Sequence, residues 1–150
     1  MPNNISVGVA FADPALVAGT TIAGAVITES TFAGSIAATT VNASTALGMT
    51  SGTVAAAGTD NTNAVAITTP GVLVTGGDAT KGAILPALAA GSLVFVKNGA
   101  NAVLKIYPPS GAAINALTAT TGAISLAANV SAIFWYYSAT QVYTLPLLPS

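Results

Sequence analysis

The chain has 150 residues and a mass of 14.5 kDa, room for one ordinary domain or a small domain with an extended arm, but not for two large domains. Charged residues are 5% of the chain, against about 25% in an average soluble protein, and three Lys with no Arg at a net charge of −1 form no basic patch able to neutralise several phosphates. This excludes nucleic acid as a partner. The lack of His and Cys removes the commonest general base, thiol nucleophiles, disulfides and nearly all transition-metal ligation.

Residues 1–14 read as an extended N-terminal arm. Polar at first, they then alternate small and apolar side chains, with Ile5, Val7, Val9 and Phe11 on one side, a pattern suited to lying along another surface. The start of the chain has neither a basic segment nor a long apolar core, so it does not read as a secretory signal. Asp13 followed by Pro14 opens a turn that Gly19 and Thr20 stop.

Residues 15–57 form a second region, rich in Ala, Thr and Gly. Its pieces IAGAVIT, GSIAATTV and SGTVAAA are β-like and echo one another without a fixed period, a weak solenoid signal. Residues 58–63, Gly-Thr-Asp-Asn-Thr-Asn, are the clearest loop and a candidate hinge.

Residues 58–150 carry the sharpest β signal. Short strands are expected at Ala64–Thr69, Val72–Thr75, Ser92–Lys97, Ala102–Tyr107, Gly122–Leu126, Ala132–Tyr137 and Gln141–Leu145, separated by Pro, Gly or Asn. Asn98-Gly99 lies between two of the strongest runs and predicts a tight hairpin, because both residues tolerate positive φ. The expected fold is all-β: a short-stranded antiparallel β-sandwich or barrel body with an extended N-terminal arm. The runs Leu93–Val96 and Ala132–Tyr137 are apolar on both faces, which predicts burial by the core on one side and by a neighbouring subunit on the other. No run of about 20 apolar residues would span a bilayer, since Pro108, Pro109, Gly111 and Gly122 interrupt the charge-free C-terminal stretch, so a membrane is not expected as a partner.

The acids Asp13, Glu29, Asp60 and Asp78 are scattered and share no acid/base motif. Asp60-Asn61-Thr62-Asn63 lacks the later glycine and glutamate of an EF-hand and reads as an Asx-rich turn. Asp78-Ala79-Thr80-Lys81 lacks the order of a phosphate loop and reads as a solvated turn. No catalytic, cofactor-binding or metal-ligating residue is predicted, so the chain is expected to be no enzyme and to need no cofactor. Phe95, Tyr107, Phe134, Trp135, Tyr136, Tyr137 and Tyr143 are expected in the core or at a subunit interface, with a sugar-stacking platform as the competing role for the aromatic cluster. An ice-binding role would need a regular Thr array, and the Thr spacing is irregular.

Four elements occur in order from about Val65 onward: Lys81-Gly82-Ala83-Ile84-Leu85-Pro86-Ala87; Gly91-Ser92-Leu93-Val94-Phe95-Val96-Lys97-Asn98-Gly99-Ala100-Asn101-Ala102; Lys105-Ile106-Tyr107-Pro108-Pro109-Ser110-Gly111-Ala112-Ala113-Ile114-Asn115; and Ser138-Ala139-Thr140-Gln141 before an aromatic strand. Together they resemble a β-rich module of structural proteins of tailed bacteriophages, with Val142 standing where that module usually has an aromatic residue. The resemblance covers roughly Val65–Ser150. It implies a virion component: a capsid decoration (cement) protein on the outer surface of the capsid, binding the major capsid protein as a homotrimer. On that reading the alternating Ile5, Val7, Val9 and Phe11, which lie outside the resemblance, make the capsid-contact arm. The alternative the resemblance implies is a head- or tail-fibre domain contacting a host receptor or glycan.

Overall fold

The structure, a computed structural model, describes residues 48–147, which lie within the compact unit Ala43–Ser150. Ile5, Val7, Val9 and Phe11 of the expected arm, and the 15–57 region up to residue 47, lie outside the described residues.

The described chain is all-β. Its strands are β1 (Ser51–Ala55), β2 (Val65–Ala66), β3 (Gly71–Thr75), β4 (Gly82–Ile84), β5 (Leu93–Asn98), β6 (Leu104–Tyr107), β7 (Ala113–Ile114), β8 (Ile124–Leu126), β9 (Ser131–Ser138) and β10 (Gln141–Leu147). Each segment expected as a strand after residue 63 overlaps one, whereas β4 and β7 form where no strand is expected. The SGTVAAA piece supplies β1, which joins the same sheet as β3, so the exposed loop 58–63 connects strands of one unit. Its base is fixed by the Ala57–Gly82 bridge.

Six strands form one sheet in the order β1-β3-β5-β9-β10-β7, and four form a second in the order β2-β4-β6-β8. From β1 to β6 the chain alternates between the sheets, so each strand lies beside the one two places earlier and runs the same way. Ser51 pairs with Gly71 and Gly71 with Phe95 in the first sheet; Val65 pairs with Ala83 and Ala83 with Ile106 in the second. This corrects the antiparallel expectation. Parallel neighbours need a long crossover, and here the strand in the opposite sheet is that crossover. Antiparallel pairing enters with β5–β9, β9–β10 and β6–β8.

The expected hairpin at Asn98-Gly99 is a second correction. The two strands it was to join, β5 and β6, lie in different sheets, and β5 already has β3 and β9 as neighbours. Gly99 is not among the glycines with left-handed backbone. The segment is a corner, held by the Asn98 side chain. Asn98 is fully buried; its Nδ2 donates to the carbonyls of Ala102 (2.8 Å), Leu126 (3.1 Å) and Ala127 (3.0 Å), and its Oδ1 accepts from the Ala100 amide (3.0 Å). A buried amide that satisfies this many backbone groups ties the corner to the β8–β9 connection.

One apolar core lies between the sheets. Val72, Val74, Val94, Val96, Phe134, Tyr136 and Val142 from the larger sheet and Ala83, Leu104, Ile106 and Leu126 from the smaller one belong to a single buried cluster. The period of two along each strand selects these residues, as β9 illustrates: Ala132, Phe134 and Tyr136 are buried, while Ile133, Trp135 and Tyr137 are turned away.

Candidate functional site

The alternation that fills the core leaves the opposite face of the six-stranded sheet with an unusual composition. Leu73 from β3, Leu93 and Phe95 from β5, Ile133, Trp135 and Tyr137 from β9, and Tyr143 and Leu145 from β10 share it. In a free antiparallel or mixed sheet this face is usually polar. Lys97 is the single charged residue in all six strands.

Register assembles the aromatic part. Trp135 has Leu93 as its cross-strand partner on one side and Tyr143 on the other. A bulge at Gln141–Val142 gives β9 one extra residue, Tyr137, which has no direct partner on β10. The three rings therefore cluster. Trp135 and Tyr137 meet edge to face at 5.8 Å, Tyr137 and Tyr143 edge to face at 6.0 Å, and Trp135 and Tyr143 at 6.1 Å with a tilt of 39°. All are open to solvent: Trp135 is 39% exposed, Tyr137 61%, Tyr143 40%, and the nearby Leu145 52%.

Beside this ridge the face sinks into a trough of about 520 Å³, lined by Ser51, Gly52, Thr53, Gly71, Leu73, Phe95, Lys97 and Ser131. Gly71 pairs with Ser51 on one side and Phe95 on the other, and its missing side chain leaves the depression. Lys97 stands at its rim with its ammonium donating to the Asn129 carbonyl.

The seven expected aromatic positions thus divide. Tyr107, Phe134 and Tyr136 are buried in the body, whereas Trp135, Tyr137, Tyr143 and the partly exposed Phe95 lie on the outer face. The buried hydroxyls are satisfied: that of Tyr136 donates to the Pro86 carbonyl at 2.6 Å and that of Tyr107 to the Thr59 carbonyl at 2.7 Å. Burial pushes the Tyr136 phenol well above its ordinary range, and burial together with the nearby Asp60 charge raises that of Tyr107.

Sequence reasoning missed the role of Asn115, whose side chain adds to the backbone pairing of β7 with β10. With φ of +53° it accepts the Thr144 amide on Oδ1 (3.1 Å), donates from Nδ2 to the Thr144 hydroxyl (2.9 Å) and receives Gln141 Nε2 on its carbonyl (2.8 Å). Its signal was the Ile-Asn pair after a Gly, since Asn adopts this backbone more readily than most residues.

The acidic loops do local work. Asp60 Oδ1 accepts from the Thr62 amide (2.8 Å), the Thr62 hydroxyl (2.6 Å) and the Asn63 amide (3.2 Å), an Asx turn as expected. Gly58 is required there: its φ is +59°, and a Cβ would fall 2.0 Å from Asn63 Oδ1. Asp78 does the same for Thr80 and Lys81, with a 3.3 Å ion pair to Lys81. These hydrogen bonds, those from the Thr hydroxyls first, hold both carboxyls below the usual range. Among the described residues no three of His, Cys, Asp and Glu come together as a metal site. None of the described residues forms a helix long and apolar enough to cross a membrane.

Comparison with protein-family models, with curated proteins and with solved structures returned no match.

Proposed function

We propose that the protein is a non-enzymatic virion structural protein, a capsid decoration protein that binds between major capsid protein subunits on the outer surface of the capsid as a homotrimer. The observation that supports this reading is the outer face of the six-stranded sheet. A sheet with a valine- and aromatic-rich core on one side and Leu73, Leu93, Trp135, Tyr137, Tyr143 and Leu145 exposed on the other is built to be covered. A net charge of −1 gives little repulsion to keep copies apart. In this reading the body makes the oligomer, residues 2–11 with Ile5, Val7, Val9 and Phe11 attach it to the shell, and neither nucleic acid, membrane nor cofactor takes part. Electron microscopy of particles labelled for this chain tests the location: copies numbering in the hundreds over the shell are expected, and a handful at the tail would refute it. Deleting residues 2–11 is expected to abolish decoration and leave the oligomer intact; wild-type occupancy would move attachment to the body.

A second reading, a fibre domain that contacts a host receptor or glycan, draws on the exposed rings of Trp135, Tyr137 and Tyr143. Quenching or shift of tryptophan emission on titration with host surface glycans supports it, and an unchanged spectrum counts against it.

A further inference from the structure

From the shape of the outer face we infer which surfaces of two copies meet: the Trp135–Tyr137–Tyr143 ridge of one copy seats in the Gly71 trough of another. The inference rests on the oligomeric reading above and names the contact within it. Ridge and trough lie on the same sheet face, on the order of 10–15 Å apart, because β3 and β10 are separated by β5 and β9 at about 4.8 Å per strand. One copy therefore presents a protruding aromatic cluster and an apolar depression side by side, and neither can fill the other within a single chain.

Three observations favour a second copy as the occupant. The trough is floored by a glycine, walled by Leu73 and Phe95, and has a volume of about 520 Å³, space for aromatic side chains. The face carries no carboxylate and a single cation, Lys97, which already donates to the Asn129 carbonyl, so a strongly charged partner finds little to pair with. Leu73, Leu93, Trp135, Tyr137, Tyr143 and Leu145 are each 39–61% exposed on this one face, an apolar surface of the kind that a stable interface, at roughly 800 Å² per partner, buries. Aromatic anchors entering a pocket are the usual centre of such interfaces.

Trp135 is the one tryptophan of the chain, so its fluorescence reports the ridge directly. Gly71 reports the trough: its φ lies outside the left-handed region, and a Cβ there would meet its nearest atoms, Met49 Sδ, Ser51 Cβ and the Thr50 carbonyl, at 3.5 Å, an ordinary contact. A Cβ is therefore accommodated at this position, and Gly71→Leu is the variant chosen to occupy the trough. The experiment is sedimentation velocity with tryptophan emission and acrylamide quenching on the wild-type chain and on Gly71→Leu, with circular dichroism as the fold control. The wild type is expected to be oligomeric, with blue-shifted and protected Trp135. Gly71→Leu should keep the β spectrum, associate at least tenfold more weakly and regain exposed, red-shifted emission. An oligomeric wild type with fully quenchable Trp135 overturns the ridge-in-trough contact while leaving the oligomeric reading standing. A Gly71→Leu protein that associates as tightly as wild type with Trp135 still protected overturns the trough as its seat. A monomeric wild type at tens of micromolar removes both.

Discussion

The corner after Asn98 and the hairpin between β9 and β10 carry similar local signals, a short polar segment between two apolar runs, and they do opposite things. At Ser138–Gln141 the chain reverses through Ala139 and Thr140, Ser138 Oγ accepts the Thr140 amide at 3.2 Å, and the flanking strands pair with each other. At Asn98 the flanking strands part into separate sheets, and the side chain bonds to backbone from Ala102, Leu126 and Ala127. The hairpin is closed by groups two residues apart, the corner by groups up to 29 residues apart. Turn chemistry written in adjacent residues is decisive only where no distant partner competes for them.

The largest expected effect breaks the corner. Asn98→Ala removes the four hydrogen bonds of a buried amide and strands the carbonyls they served, at a cost of about 2–4 kcal/mol; Asn98→Asp, which points an unpaired charge at those carbonyls, should cost more. Urea unfolding measures both, and a loss below about 1 kcal/mol for Asn98→Ala would mean the corner is held by something other than the amide.

Tyr136, on the hairpin's long strand, gives the next. Removing its hydroxyl with Tyr136→Phe is expected to cost about 1 kcal/mol through the lost bond to the Pro86 carbonyl. It also carries a pH signature. Its folded-state pKa is raised above the ordinary phenol value of about 10, so its contribution is complete below that pH and is lost as the pH rises, when the unfolded chain ionises more readily. Melting temperature followed from pH 8 to 11 should fall in the wild type and fall less in Tyr136→Phe; parallel curves would assign the alkaline loss to another group, Tyr107 first.

Gly99→Ala separates corner from hairpin most directly. A tight turn with positive φ at this position would penalise alanine heavily, whereas the corner asks only that Leu73 Cδ1, 2.7 Å from the new Cβ, swing away on its exposed side chain. The expected loss is below about 1 kcal/mol, and a drop of several kcal/mol would restore the hairpin reading. Smallest of all, one glycine inserted between Ala139 and Thr140 should cost only a few tenths of a kcal/mol, since loop closure depends weakly on length; thermal unfolding checks it against the same insertion after Gly99, which should cost clearly more.

Strand positions were legible because β-branched and aromatic residues at period two, broken by Gly, Pro and Asn, mark strands whatever they pair with; Val72–Thr75, Ala132–Tyr137 and Gln141–Leu145 are instances. The two-sided apolar character of β5 and β9 is also legible in the sequence, and it corresponds to the core on one side and the apolar outer face on the other. Which aromatics serve the core was not legible within a run such as Phe134-Trp135-Tyr136-Tyr137, since shifting a strand by one residue exchanges its two faces and only the partners on β5 and β10 fix that choice.

By itself, then, the sequence determined a chain without charge to spare whose described residues are all-β, with most strands at their places and an Asx turn at Asp60. These are local properties, set by side-chain chemistry within a few residues. Only the tertiary structure decided that β1 to β6 coil between two sheets in parallel, that Asn98 is a buried clamp, and that Trp135, Tyr137 and Tyr143 converge on the same face as the Gly71 trough. Those depend on which distant strand takes each edge, a competition among contacts far apart in the chain that no short window of residues records.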